Sequence, residues 1–569
     1  MTNWNPLTAI WNFVKLDDPS TFRTEYIDQT IDRERKPKKQ PTKWSKWNVF
    51  EALNWYPSHY SKYEKWFLFK FDIFIFFFFA ASFYTKYLDQ ANISTAYVAG
   101  MKEELNLNGN ELNYFNTCYT VGFAVFQIPI SILITRPEYS RYLMVVCEFI
   151  WGALTLCNAF AHKAEHVYVI RFFVGVAEAC SFPATYVVLS SYLTDEELFK
   201  RAGWYGAFSA AGSASSGSLQ TRTFKSLDGV NGLSGWRWQF IIDAVITFGI
   251  ALYGFLFYPG IPSTAKSFGF VFSEDDLTFA RKRLEGKISF PKKFTWKSIK
   301  ETFMTWQIYA CTFLWIWHHQ TFYDSTTKLY LKSRKDIYSS SEITNMITYL
   351  GIVAILPAGV FPPLANFYGK IPIAILGMIC ALYSGIVLLI WVPENNELML
   401  SAFAISLGFR YGMAQTYYSW IAALCKDNTE KKAIVLSVSN CLAYVTNAWL
   451  IPVQWDMKYS PKFSTGYKVN LGIICIDIVA FAIVYVLDKY DLVLCPKYAG
   501  NRHTTADGKL IHDPDQTHHI LGADYVDETG SKRSNISDRE SSSESDLENL
   551  KRSDVKVNAM TSINEKSSL

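Results

Sequence analysis

No Walker motif, no zinc-ligand spacing and no nucleophile placed beside a base occurs in this 569-residue sequence, so neither ATP hydrolysis nor covalent catalysis is expected of it. Its ten cysteines include no CxxC pair. Several of them, such as Cys147, Cys157, Cys180, Cys380 and Cys475, fall inside apolar runs and read as small packing residues. No metal or cofactor is expected. No removable signal peptide precedes the first apolar run, which is too long for an h-region. The net charge of +4 comes with no basic patch interleaved with stacking aromatics, which argues against a nucleic-acid partner.

What the sequence has instead is apolar residues, 50% of the total, gathered into long runs. A bilayer core about 30 Å thick needs roughly 20 mostly apolar residues per helix. That yardstick places spans near 67–89, 112–134, 142–161, 166–192, 201–221 and 238–259. After a polar stretch it places six more near 304–323, 342–364, 370–392, 397–419, 431–453 and 467–488. The expected division is a basic amino-terminal segment over 1–65, a six-helix bundle over 66–260, a central loop over 261–303, a second bundle over 304–490 and a tail over 491–569.

Positive charge marks the cytoplasmic side of a membrane protein. Residues 1–65 hold eleven Lys or Arg, and the central loop holds nine more, among them Arg281, Lys282 and Arg283. Six crossings between these two segments put both, and both chain termini, in the cytoplasm. The tail turns to Ser, Asp and Glu, as in Ser541–Asp546, and is expected to be disordered, either a solvated spacer or a control segment for kinases and ubiquitin-ligase adaptors. Asn92-Ile93-Ser94 and Asn535-Ile536-Ser537 match the glycosylation pattern, but one abuts the membrane and the other is cytoplasmic, so neither is expected to be modified.

An ionisable side chain inside a span is costly and usually faces a polar cavity or a partner. Three stand out. Asp89 lies near the outer end of the first span, and Arg171 lies at a similar depth in the fourth, which runs the other way. Glu178 follows Arg171 by seven residues, which returns it to nearly the same helix face about 10 Å deeper. Gly175 and Ala179 around them are small enough for close helix approach, and Pro183 is placed to bend the helix. Desolvation disfavours the charged form of a carboxylate at this depth, which suits Glu178 to carry protons. Arg171 keeps its charge and offers a planar fork to a carboxylate, so it can hold an anionic substrate or Glu178 in turn. The bland alternative is that Asp89 and Arg171 only fix helix register. In the second half His318, His319, Gln320, Tyr323 and Asp324 follow Trp315 and Trp317 and are candidates to line a binding cavity or to anchor the chain at the interface. Asn440 and its neighbours Ser437, Ser439 and Asn447 are further cavity candidates, for which interhelical bonding is an equal account.

Three stretches together resemble a known family. They are Tyr87-Leu88-Asp89 with Asn92, Ala96, Tyr97, Gly100 and Met101; Arg171-Phe172-Phe173 through Glu178-Ala179; and Asn231-Gly232-Leu233 with Gly235-Trp236-Arg237 through Asp243. Over residues 66–490 the chain resembles the fungal allantoate permease branch of the anion:cation symporters in the major facilitator superfamily. The resemblance implies twelve transmembrane helices in two six-helix bundles with alternating access, an all-α membrane protein working as a monomer in the plasma membrane. It also implies proton-coupled import of a small organic anion, with Asp89 and Glu178 at the family's proton-coupling positions and Arg171 at its anion-handling position. The sequence departs at Gln90, where many members carry an Arg, so substrate recognition is expected from Arg171 with polar groups such as Gln90 and His318. The run Glu178-Ala179-Cys180-Ser181-Phe182 and the stretch Ala433–Leu436 resemble pantothenate transporters, whereas Ser460–Tyr467 resembles the biotin and sulfur-compound members. Allantoate and nicotinate stay open as substrates, as does a transporter-like nutrient sensor.

Overall fold

The computed structural model describes residues 53–490, apart from short stretches at 58, 108–110, 137–138, 263–264, 266–270, 284–295, 322, 335, 339 and 426–427. Most of the basic amino-terminal segment and the whole tail therefore lie outside the described residues. Within them the architecture is helical, with twelve long segments in order: α1 Lys62–Ala96, α2 Glu111–Ile134, α3 Tyr142–Asn158, α4 Ala164–Tyr192, α5 Asp195–Leu227, α6 Gly235–Phe257, α7 Trp306–His319 continued by Asp324–Ser333, α8 Ser340–Tyr368, α9 Lys370–Ile390, α10 Asn396–Leu424, α11 Thr429–Gln454 and α12 Ser464–Lys489. Eight of these are long and apolar enough to cross a membrane by themselves, and α3 is apolar but only 17 residues long. The helices that fall short are α5, α7 and α10. Each is packed by other helices rather than lipid along much of its length, so its sequence is free to be polar; α5 alone carries Ser209, Ser213, Ser215, Ser216 and Ser218.

The two halves repeat one packing scheme. In the first, α1 packs on α5 and α6, α2 on α4, and α3 on α4 and α6; in the second, α7 packs on α11 and α12, α8 on α10, and α9 on α10 and α12. Advancing each label by six converts one set into the other. The halves meet where α5 lies on α8 and α10, and where α2 lies on α11, again related pairs.

Two helices are interrupted where the sequence suggested only a bend or an end. Helix α4 stops at Glu178 and restarts at Pro183, which takes the first helical position, where its missing N–H costs nothing. Helix α7 breaks after His319 and resumes at Asp324, so the polar run Asp324–Ser333 extends the seventh span beyond the expected residue 323. Helix α1 likewise runs past both ends of the expected 67–89. Its first turn is a capping box made by Ser61 and Glu64, and its π-helical turn at Asp72–Phe76 presents Asp72 to Arg201 of α5 at 2.5 and 2.8 Å. In the central loop a helix at Glu274–Arg283 is tied to the bundle by Lys70–Asp276 and by Arg283–Glu197.

The small residues of α4 do what the sequence suggested at one position. Gly175 sits so close to α2 that a Cβ there would collide with the Tyr119 carbonyl oxygen and stand 2.9 Å from the Phe123 nitrogen, and Gly122 of α2 is pressed just as tightly on the Phe172 carbonyl. Backbone cannot yield as a flexible side chain can. Gly175→Ala is therefore expected to push α2 off α4 and to cost about 3 kcal/mol or more, beyond ordinary overpacking. Thermal unfolding in detergent reads this as a clear drop in the midpoint, and an unchanged midpoint would contradict the close packing.

Candidate functional site

The polar residues of α1, α2 and α4 converge. Arg171 donates from Nη1 to Asp89 Oδ2 at 2.8 Å, and both side chains are at most 1% exposed. Thr155 of α3 supports the other oxygen of Asp89 at 3.3 Å. The guanidinium lies 4.9 Å from the centre of the Tyr119 ring, while the Tyr119 hydroxyl donates to Glu178 Oε2 at 2.6 Å. Gln90 donates to the same oxygen at 3.2 Å and also bonds to the Tyr119 hydroxyl. Tyr119 thus connects Arg171 to Glu178, which do not bond to each other directly. Two polar atoms in this cluster, Arg171 Nε and Glu178 Oε1, are buried without a hydrogen-bond partner.

A cavity of about 400 Å³ lies between the halves against this cluster. Its walls come from the later parts of α1 and α11, the earlier parts of α2, α4 and α8, the middle of α5 and α10, and the break in α7. It therefore occupies the half of the protein away from the start of α1. Arg171, Arg410 and Lys328 line it, with Gln90, Asn116, Tyr119, Thr120, His319, Tyr323 and Asn447; no carboxylate is among the described lining residues. Glu178 is not in the lining but lies behind Gln90 and Tyr119, which are.

Nearer the start of α1, beyond the residues that line the cavity, aromatic rings pack the two halves together. Phe182, in the break of α4, lies 4.3 Å from Tyr418 of α10, centre to centre, and 5.4 Å from Phe83 of α1; Phe83 in turn stacks on Tyr205 at 4.1 Å, and Tyr418 meets Trp315 at 4.6 Å. Tyr186 donates to Gln415 Oε1 at 2.6 Å and Lys432 to Ser190 Oγ at 2.9 Å, so polar bonds join the halves below the rings.

Of the residues the sequence singled out, Arg171, Gln90, His319, Tyr323 and Asn447 line the cavity. Asp89 and Glu178 stand just behind it. Three others lie elsewhere: His318 is buried between Asp477 of α12 and the Arg410 carbonyl, Gln320 donates to the Ala443 carbonyl at 3.0 Å, and Asn440 accepts from Trp315 Nε1 at 3.1 Å. The structure adds groups that sequence reasoning passed over. Tyr119 and Arg410 face the cavity. Lys86 is buried beneath it, bonded to Ser181 at 2.8 Å and lying 4.0 Å over the Phe123 ring. Glu148 of α3 accepts from Ser82, and Asp243 of α6 accepts from Asn92 at 2.7 Å, which buries the first glycosylation-like Asn entirely. The signal for Lys86, Glu148, Asp243, Arg410 and Asp477 was the one used for Arg171, a charge inside an apolar run. Tyr119 gave no signal, because a tyrosine in a span usually means only packing.

Comparison with known proteins agrees with this architecture. The chain is 32% identical over 413 residues to the pantothenate transporter liz1 of Schizosaccharomyces pombe, covering 71% of this chain and 79% of that one. It is 31% identical over 415 residues to the pantothenate transporter FEN2 of Saccharomyces cerevisiae, covering 70% and 79%. The vitamin H transporter of the same yeast is 28% identical over 509 residues, 86% of this chain and 81% of the relative. Among solved structures, the proton:xylose symporter XylE superposes with a TM-score of 0.57 at 12% identity over 74% of this chain and 96% of that one, a likeness of fold. The family model of the Major Facilitator Superfamily matches residues 73–449. With its repeated halves, central cavity and transporter relatives, the chain belongs to the major facilitator superfamily and is a membrane transporter, not an enzyme.

Proposed function

We propose that this transporter is a proton-coupled symporter that imports a small organic anion, pantothenate foremost, across the plasma membrane, with the start of α1 and both chain termini on the cytoplasmic side. The observation that carries the reading is the charge of the cavity: three cations and no carboxylate among its described lining residues, with Glu178 set behind them. A carboxylate substrate matches the fork of Arg171, whose Nε has no partner, and the neutral groups Asn116, Thr120, Tyr323 and Asn447 suit the hydroxyls and amide of pantothenate. The two relatives named as pantothenate transporters support this choice of vitamin, and the vitamin H relative makes biotin the second reading.

Coupling follows from competition at close quarters. An ionised Glu178 offsets the cavity's positive field through Tyr119 and Gln90. A proton placed on its unpartnered oxygen removes that opposing charge and strengthens anion binding by on the order of 2 kcal/mol, about thirty-fold in affinity. The proton and the anion then enter together. The proposed organisation is a bundle over 66–260 and another over 304–490, joined by the loop 261–303 and flanked by cytoplasmic segments 1–65 and 491–569, in a monomer.

Expression in yeast lacking its own vitamin carriers tests the reading. Uptake of labelled pantothenate is expected to be faster at pH 5 than at pH 7 and to collapse with a protonophore. Entry of biotin instead would move the substrate and keep the mechanism, while uptake indifferent to pH and protonophore would refute proton coupling. A sensor role would appear as signalling that survives in a variant unable to transport.

A further inference from the structure

The second half contains an ionisable pair that the mechanism above does not use. His318 of α7 is buried with its ring enclosed by Tyr417 and Phe409, at 4.8 and 5.5 Å between ring centres, and it takes no part in the cavity wall. Both of its nitrogens meet acceptors. Nδ1 lies 3.2 Å from Asp477 Oδ2, and Nε2 lies 3.3 Å from the backbone carbonyl oxygen of Arg410.

A carbonyl can only accept, and a neutral imidazole has a single N–H to give. Two arrangements satisfy both contacts: an imidazolium against an ionised Asp477, or a neutral ring donating from Nε2 while a protonated Asp477 donates to Nδ1. They hold the same number of protons and differ only in where one of them sits. Losing that proton leaves a carboxylate facing a nitrogen lone pair, or else leaves the Arg410 carbonyl without its donor from His318. The second oxygen of Asp477 is itself buried without a partner, so nothing at that end absorbs the extra charge.

We propose that His318 and Asp477 form a second proton-holding site, in the carboxy-terminal half, which ties its protonation to the position of Arg410 in the substrate cavity. This rests on the symport reading and deepens it. The tie is short, since the carbonyl that His318 holds belongs to the residue whose guanidinium lines the cavity from α10. Helix α7 packs on α10, α11, α12 and the short helix Trp296–Phe303 that precedes it, and α12 also packs on α9, for which no charged contact to the pair is among the described contacts. From these the charged or titratable groups facing the pair are Arg410 and the Tyr417 hydroxyl of α10, with His319 beside it on α7; α11 offers only the neutral Ser439 and Asn440 nearby. No other carboxylate is placed against it among the described contacts, so the pair's proton is its own rather than one shared with Glu178.

The test uses the full-length protein in proteoliposomes holding a pH-sensitive dye, with whichever of labelled pantothenate or biotin enters the wild type. His318→Gln is expected to flatten the rise in uptake between pH 7 and pH 5 and to lower by one the protons that accompany each vitamin; Asp477→Asn is expected to do the same and serves if the first variant does not fold. A purely packing role would lower the rate without altering the pH profile or the proton count. Wild-type profile and count in a folded variant of either residue would overturn this site while leaving symport intact. A wild type that moves no protons with either vitamin would overturn both.

Discussion

Glu178→Gln is expected to lower the acid-driven accumulation of substrate, by at least about ten-fold at pH 5, while exchange of labelled for unlabelled substrate across the membrane persists. Glutamine imitates the protonated carboxyl in size and can still meet Tyr119 and Gln90, which hold Oε2 at 2.6 and 3.2 Å. The cavity then behaves as though permanently loaded: the anion binds, but no proton comes or goes through position 178. Removing a transition between charged and neutral states forfeits the on the order of 2 kcal/mol of coupling argued above. Counterflow and net uptake measured side by side separate the two. A variant whose accumulation at pH 5 equals that of the wild type would remove Glu178 from the proton path.

Arg171→Lys is the second large effect, and it isolates geometry from charge. A lysine ammonium can take over one bond to Asp89, so the ion pair and the protein survive, but it has no planar fork to offer a carboxylate in the cavity. Uptake is expected to fall at least about ten-fold, mainly through a weaker KM, with normal amounts of protein at the membrane. Asp89→Asn behaves differently, because it leaves the guanidinium buried and unpaired at a cost of about 3–5 kcal/mol, and this variant is expected to be lost from the membrane before transport can be judged. Wild-type uptake in Arg171→Lys would assign the residue to helix register alone, the alternative the sequence left open.

Most of the helical plan was legible because lipid enforces it. Runs of about 20 apolar residues have few other uses, and each expected span coincides with a helix. The boundaries were less legible wherever a helix is sheltered by protein. The extension of α7 into Asp324–Ser333 and of α5 over the whole of Asp195–Leu227 could not be read from hydropathy, because burial among neighbours removes the need for apolar side chains. The site was legible in part for a related reason. Seven-residue spacing correctly put Arg171 and Glu178 on one face of α4. The cluster His318-His319-Gln320 was treated as a unit, yet consecutive helical residues point about 100° apart, so His319 reaches the cavity while His318 turns to α12 and Gln320 to α11. Arg410 was within reach of the rule that found Arg171. Tyr119 was not, since its role arises from lying between two residues of another helix.

The interruption of α4 has a mechanical meaning. Glu178 ends the first piece, Pro183 begins the second, and Phe182, whose ring packs on Tyr418 of the other half, stands in the four-residue joint between them. The same joint carries Ser181, whose hydroxyl returns to the Glu178 carbonyl and receives Lys86. Carboxylate and inter-half ring are thus two ends of one short lever, and any shift that accompanies charging at one end is felt at the other within a single turn of chain. A carrier must never stand open to both sides at once, and here the ring that joins the halves is mounted on the same joint as the buried carboxylate.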